Sequence, residues 1–119
     1  MTVKVQPIEG HEQSEVRMEG AAGVKMRMLI GPGDGAKNFH MRHFEIDVGG
    51  NTPFHQHDFE HEVLILTGSG VVRSEEGDRS FNAGDVIFVS SDEKHQFVNT
   101  GNSSCSFICL IPAPRDCCT

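Results

Sequence analysis

Frequent turns between short apolar runs constrain the fold of this chain more than any other feature. Thirteen Gly and five Pro are spread over 119 residues, and turn signals recur roughly every 8–12 residues. Apolar residues do not recur with the 3.6-residue period of an amphipathic helix over any long stretch. The sequence therefore predicts an all-β sandwich or barrel with almost no helix.

The predicted strands are short, and turn residues bound most of them. The acidic turn at Glu75–Asp78 predicts a hairpin. The strands at 86–89 and 95–98 are expected to form another pair. The apolar parity switches near Arg42 and His43, which predicts a β-bulge there. The predicted strands cover residues 24–30, 39–48, 54–57, 63–66, 71–74, 79–81, 86–89, 95–98 and 104–111.

Several of these strands, such as 63–66, are apolar on both faces. A double-sheet jelly roll would bury both faces, and so would a barrel that forms a homodimer. We expect one domain over residues 1–119, with its core barrel at about 24–112 between a polar N-terminal segment and a short C-terminal tail.

Charge and hydropathy argue against some partners and locations. The formal net charge of −7 disfavours nucleic acid and anionic membrane surfaces as partners. No apolar run approaches the ~20 residues that span a bilayer, and residues 1–7 lack the apolar centre of a signal peptide. The expected location is the cytoplasm.

The cysteines are not expected to form a disulfide within a strand. Cys105 and Cys109 would lie ~13 Å apart on one strand, beyond the ~7 Å that a disulfide allows between Cα atoms. Cys117 and Cys118 could be free thiols on a tail or a metal-binding or redox pair; the first interpretation is favoured. All four are predicted to be reduced and unnecessary as metal ligands.

Three of the seven histidines fall close together as His55-x-His57-x3-His61. On a strand, His55 and His57 would face the same side ~6.6 Å apart, a span that one metal ion can bridge. His61 would need a turn at 58–60 to join them, and His95 is the obvious distant donor. His11 is expected at the surface, whereas His40 and His43 could lie at the surface or in a pocket.

The segment from Gly49 to Gly68 resembles the first motif of the cupins, and the segment from Gly84 to Asn99 resembles the second. The family usually has a Glu three or four residues after the two histidines, which fits His61 or Glu62 here. Six residues separate His61 from Gly68, as the motif requires, so His61 is preferred. The family usually has Pro and Gly at the positions of Ser90 and Asp92.

Phe39–Arg42, Glu60–Glu62 and Phe107–Pro112 resemble the small one-domain cupins (cupin_2-like conserved barrels) that hold a metal with four histidines. This resemblance implies a homodimeric jelly-roll barrel, or double-stranded β-helix, with His55, His57, His61 and His95 as ligands of one divalent ion. Glu60 and Glu62 are candidates for orienting a ligand imidazole. The pocket candidates are Arg42, His43, Phe107, Cys109 and Ile111.

Imidazole ligands suit Fe, Ni, Cu and Zn, and the resemblance adds Mn. Four neutral ligands on an octahedral ion leave two adjacent positions open, which fits oxygenase chemistry as well as Lewis-acid catalysis. The sequence thus favours a metal-dependent oxidoreductase of dioxygenase type that acts on a small organic molecule. The alternatives are a non-catalytic ligand-binding or sensing cupin and a metal-dependent decarboxylase or isomerase.

Overall fold

The computed structural model describes residues 3–113, which form nine β-strands and no α-helix. Two 3-10 turns, Ile8–Gly10 and Pro32–Asp34, are the remaining regular elements of this range. The strands are β1 (Ser14–Glu15), β2 (Ala22–Ile30), β3 (Phe39–Asn51), β4 (His61–Thr67), β5 (Ser69–Ser74), β6 (Gly77–Asn82), β7 (Val86–Val89), β8 (His95–Val98) and β9 (Cys105–Pro112). In the same residues, no helix has the length and apolar character needed to cross a bilayer.

All strand pairs are antiparallel and join in one curled sheet with the order β6-β5-β8-β3-β9-β4-β7, while β2 and then β1 extend it from β3. The 13-residue strand β3 belongs to both halves of the barrel. Most of its length pairs with β2 and β9, whereas Asn51 at its end pairs with Val98 of β8. The predicted all-β barrel is confirmed.

The predicted strand at 54–57 is wrong. This segment is irregular, and only His55 makes an isolated bridge, to His95. Pro53 precedes it and cannot donate to a ladder, and the chain bends at Asp58 and Phe59 before β4 begins at His61. The two histidines are therefore carried by a loop that is fastened to β8.

The predicted pairing of residues 86–89 with 95–98 is also wrong. β7 pairs with β4 at one end of the sheet, whereas β8 lies between β5 and β3. The turn between them, residues 90–94, carries the chain from one half of the barrel to the other. The predicted hairpin is confirmed, since β5 and β6 pair across a two-residue turn at Glu75 and Glu76.

The apolar pattern of β3 predicts that its inward-facing residues change parity near Arg42, but they do not. Register with β9 is continuous along β3; the irregularity near Arg42 lies in the pairing with β2, where Leu29 is the extra residue. Phe39 is 66% exposed. The inward row is buried throughout, although its first two members are polar: His40, Arg42, Phe44 and Ile46.

Aromatic packing fills the barrel core. The Phe107 ring stacks on Phe44 at 5.3 Å and on Phe97 at 5.0 Å between ring centroids. Gly68, between β4 and β5, has φ +83°, and a Cβ there would lie 2.5 Å from the Cys105 Cβ. Only glycine allows the chain to turn this closely against β9.

Candidate metal centre

Four imidazole rings cluster where β4, β8 and the 54–60 loop meet. Ring centroids lie 4.4 Å apart for His55 and His57, 5.1 Å for His61 and His95, and 5.2 Å for His57 and His61. His95 lies 5.7 Å from His55 and 6.2 Å from His57. The turn at Asp58 and Phe59 brings His61 back beside the first two rings, as the spacing predicts.

His61 and His95 are held by strands and are each only 1% exposed. The Nδ1 of His95 lies 2.9 Å from the Glu93 carbonyl oxygen. Because a carbonyl can only accept, His95 Nδ1 carries the hydrogen, and Nε2 of the neutral ring carries a lone pair. Both His61 Nε2 and His95 Nε2 are buried without a hydrogen-bond partner.

His55 and His57 are half-buried and are fixed through their backbone. His55 and His95 exchange N–H to carbonyl hydrogen bonds of 3.1 and 2.9 Å, and the Asp92 N–H donates to the His57 carbonyl at 2.6 Å. Asp92 has φ +65°, the left-handed conformation that suits Gly and is tolerated by Asp. Asp92 therefore makes the turn where the cupin motif usually has Gly.

Burial favours the neutral form of His55, His61 and His95. It lowers the pKa of His61 to about 3, with further lowering by the nearby His95 and by the Arg42 guanidinium. Burial also lowers the pKa of His55 to about 4, with a contribution from His57. It lowers the pKa of His95, against the opposing hydrogen bond to Glu93. Neutral imidazole is the form that binds a metal ion.

As the side chains stand, no three His, Cys, Asp or Glu residues within 3–113 are arranged so that they could hold a metal ion. The four rings thus form a cluster whose nitrogens do not yet converge on one point. The His57 ring stacks on Phe59 at 4.9 Å with planes only 11° apart, which holds its present orientation.

A cavity of about 810 Å³ lies between the two ends of the curled sheet and includes His95 in its wall. Its size is within the range of small-molecule sites, roughly 300–1,000 Å³. β5, β6 and β7 supply most of the lining, which mixes apolar residues such as Phe81 and Ile87 with polar ones such as Ser74 and Arg79.

The family model for the cupin domain (Cupin_2) matches residues 42–111, more than half of the chain. The chain belongs to the cupin family. A polyketide cyclase structure from Streptomyces resistomycificus is 30% identical, with a TM-score of 0.90 over 98% of this chain and 83% of that one. A predicted oxalate decarboxylase from Thermotoga maritima is 29% identical, with a TM-score of 0.81 over 92% and 98%.

The curated relatives of this cupin have different functions from one another. An oxalate-binding protein from Thermotoga maritima is 39% identical over 68 residues, 56% of each chain. A 1-methylthio-D-xylulose 5-phosphate methylsulfurylase from Rhodospirillum rubrum is 27% identical over 100 residues, 82% of this chain and 64% of the relative. The matched part of the cupin thus spans less than two thirds of either relative.

Arg42 and Cys109 lie inside the barrel of this cupin, against the histidine cluster. Arg42 is 1% exposed and Cys109 is 2% exposed. The Arg42 Nη2 donates to Cys109 Sγ at 3.2 Å, and that sulfur lies 3.4 Å from His61 Nδ1. Burial raises the pKa of the Cys109 thiol, while Arg42 acts in the opposite direction.

The other pocket candidates are placed elsewhere. Phe107 lies in the aromatic core, and Ile111 is buried opposite His40 in the β3–β9 ladder. His43 alternates with the inward Arg42 and pairs with Arg27 of β2. His43 therefore faces away from the histidine cluster, and its pKa is lowered by burial and by Arg27.

Glu60 and Glu62, the candidates for orienting an imidazole, are both exposed. Glu62 alternates with the buried His61 along β4 and pairs with Phe88 and Leu110, so it lies on the outer face. The Glu93 carbonyl instead orients His95. Sequence analysis missed this acceptor, because it is a backbone carbonyl and every residue carries one.

Cys105 and Cys109 are free thiols. Cys117 and Cys118 lie outside the described residues.

Proposed function

We propose that this cupin binds one divalent transition metal ion per chain through His55, His57, His61 and His95. The supporting observation is the pair of buried Nε2 atoms on His61 and His95 that have no hydrogen-bond partner. A buried polar atom without a partner is costly, and an ion at the cluster would use both lone pairs. Binding would require the half-buried His55 and His57 rings to turn, because the donors do not converge as the side chains stand.

The test of the ligand set compares two neighbours on β4. His61→Ala removes a buried ring, whereas Glu62→Gln changes an exposed side chain on the other face. We expect His61→Ala to lose most of its bound zinc by elemental analysis, while Glu62→Gln keeps the content of the unmodified protein. Zinc retained by His61→Ala and lost from Glu62→Gln would overturn the assignment.

For the reaction, we propose an oxidoreductase of dioxygenase type that acts on a small organic molecule. A divalent Mn, Fe, Ni, Cu or Zn ion held by neutral imidazoles keeps its full charge, and Fe or Mn supplies oxygen chemistry. The cavity that includes His95 offers room for an organic molecule beside the cluster. Its Arg79 supplies a cation for an anionic group on that molecule.

Small-ligand binding without turnover is the second candidate, and the similarity to an oxalate-binding protein favours it. Oxygen uptake by Fe- or Mn-loaded protein, with diols and dicarboxylates as probes, separates the two. Uptake that depends on the probe supports the dioxygenase. Heat of oxalate binding without oxygen uptake supports the binding protein, and release of carbon dioxide from oxalate identifies a decarboxylase.

We also propose a homodimer that covers the outer face of β4 and β7. This face exposes Leu64 (42%), Leu66 (37%), Val86 (80%) and Phe88 (61%), and adjacent apolar side chains of this kind mark contact surfaces. Sedimentation equilibrium should give twice the 13.1 kDa chain mass, and Phe88→Lys should shift it to the monomer. A monomer for the unmodified protein at micromolar concentration would contradict the proposal.

A further inference from the structure

Cys109 occupies a defined place between a buried cation and a proposed metal ligand. On β9 it pairs in register with Arg42 of β3 on one side and with Val63 of β4 on the other. His61 lies two residues before Val63 and therefore faces the same interior. The register of three strands, rather than a flexible loop, sets the contacts of Cys109 with Arg42 and His61.

The chemistry of these atoms limits their roles. A guanidinium can only donate, so Arg42 donates to one lone pair of the Cys109 sulfur, at 3.2 Å. The remaining lone pair can accept from the Nδ1–H of His61, 3.4 Å away. A hydrogen on Nδ1 leaves the lone pair of the neutral ring on Nε2, the buried atom that has no partner.

We propose that Cys109, held by Arg42, is a positioning residue that keeps His61 in its Nδ1–H tautomer with Nε2 available to the metal. The functional meaning of this contact rests on the metal centre proposed above. Cys109 is not itself a ligand in this arrangement, because its sulfur contacts the ring nitrogen that does not face the ion. The second nitrogen of a metal-bound imidazole usually donates to a carboxylate or a carbonyl. A thiol that already accepts from a guanidinium is a weaker acceptor than either.

Cys105 provides a matched control. It lies on the same strand and the same face as Cys109 and is 0% exposed, and its thiol is also free. Cys105→Ala removes a buried sulfur of equal size from the core but leaves the contact to His61 intact. A loss caused only by core packing would therefore be similar in Cys105→Ala and Cys109→Ala.

The first measurement is the tautomer of His61 in the metal-free full chain, from long-range ¹H–¹⁵N correlation spectra of its ring. We expect the Nδ1–H form in the unmodified protein, in Cys105→Ala and in Cys109→Ser, whose hydroxyl oxygen can also accept. Cys109→Ala should give a mixture of tautomers. An Nε2–H ring in the unmodified protein, or an unchanged spectrum in Cys109→Ala, would overturn the proposal.

The second measurement is the zinc dissociation constant, from competition with a chromophoric chelator. Cys109→Ala should weaken binding by about 10–100-fold, the effect typical of a lost hydrogen bond to a metal-bound imidazole. Cys109→Ser and Cys105→Ala should remain close to the unmodified protein. Equal losses in Cys109→Ala and Cys105→Ala would contradict a positioning role. If neither the unmodified protein nor any variant binds zinc while the tautomers behave as expected, the proposed metal centre fails, and only the control of the His61 tautomer by Cys109 stands.

Discussion

The two halves of the histidine cluster are built in different ways. His61 and His95 begin strands, are almost fully buried, and each has a neighbour at Nδ1. His55 and His57 sit on an irregular segment, are half-buried, and are fastened by backbone hydrogen bonds to His95 and Asp92. One pair has its rings oriented by a contact at Nδ1 before any ligand arrives, whereas the other is anchored mainly through its backbone and would have to turn its rings to bind an ion.

This difference indicates that the two pairs of histidines have different roles in the proposed metal site. Preorganised donors bind an ion without reorganising, which is the property that gives a site its affinity. Donors on a loop can adapt, and their half-exposed position leaves a route for solvent or ligand. We therefore expect the strand pair to set affinity and the loop pair to adjust coordination.

The largest effect should appear when one ligand is removed from each pair. His95→Ala should weaken zinc binding by more than about 100-fold, because even loss of a hydrogen bond to a ligand imidazole costs about 10–100-fold. His57→Ala should cost only about 10-fold, since water can replace a half-exposed ligand. Chelator competition measures both constants, and equal losses would remove the distinction between the pairs.

A second prediction concerns the stability of the metal-free protein in acid. In the fold, burial lowers the pKa of His61 to about 3 and that of His55 to about 4, against 6.5 for both in the unfolded chain. Below pH 6.5 the unfolded chain takes up protons that the folded protein excludes, so the free energy of unfolding falls as the pH falls.

This loss should continue toward pH 4 for His55 and toward pH 3 for His61. Urea denaturation at a series of pH values measures it. His61→Gln should flatten the profile more than His55→Gln, because the buried ring has the larger shift. A profile that is flat between pH 6.5 and 4 in the unmodified protein would refute the prediction.

The smallest effect should come from the turn that fastens the loop pair. Asp92→Gly should change the free energy of unfolding by less than about 1 kcal/mol, since glycine adopts φ +65° without strain. Asp92→Val should cost about 1–3 kcal/mol because a β-branched residue is strained there. Thermal unfolding of the two variants makes the comparison, and a Val variant as stable as the Gly variant would contradict it.

The sequence predicts the barrel well because short apolar runs mark most strands and turn residues mark their ends. It fails at 54–57, because two histidines two residues apart fit either a strand or a loop. The structure has a loop here, held to β8 by the bridge from His55 to His95. The sequence also fails along β3, because a buried Arg42 breaks the apolar pattern that marks an inner face. Both exceptions lie beside the histidine cluster, where polar residues replace core residues.

The candidate site is partly predictable in the same way. Spacing places His55, His57 and His61 near one another, and the resemblance to a second motif adds His95. The hydrogen bonds that orient His95 and His61 depend on a backbone carbonyl and on the register of β4 against β9. Neither follows from side-chain patterns, because each joins atoms that only the folded chain brings together.

The position of β9 between β3 and β4 has a consequence for how quickly this barrel can form. Residues 39–46 pair with residues 105–112, so partners at least about half the chain apart must meet for the barrel to close. Such distant pairings raise the contact order, and proteins dominated by them fold in milliseconds to seconds rather than microseconds. Arg42 and Cys109 are one of these distant pairs, so the support for His61 depends on a long-range pairing that closes a large loop of chain.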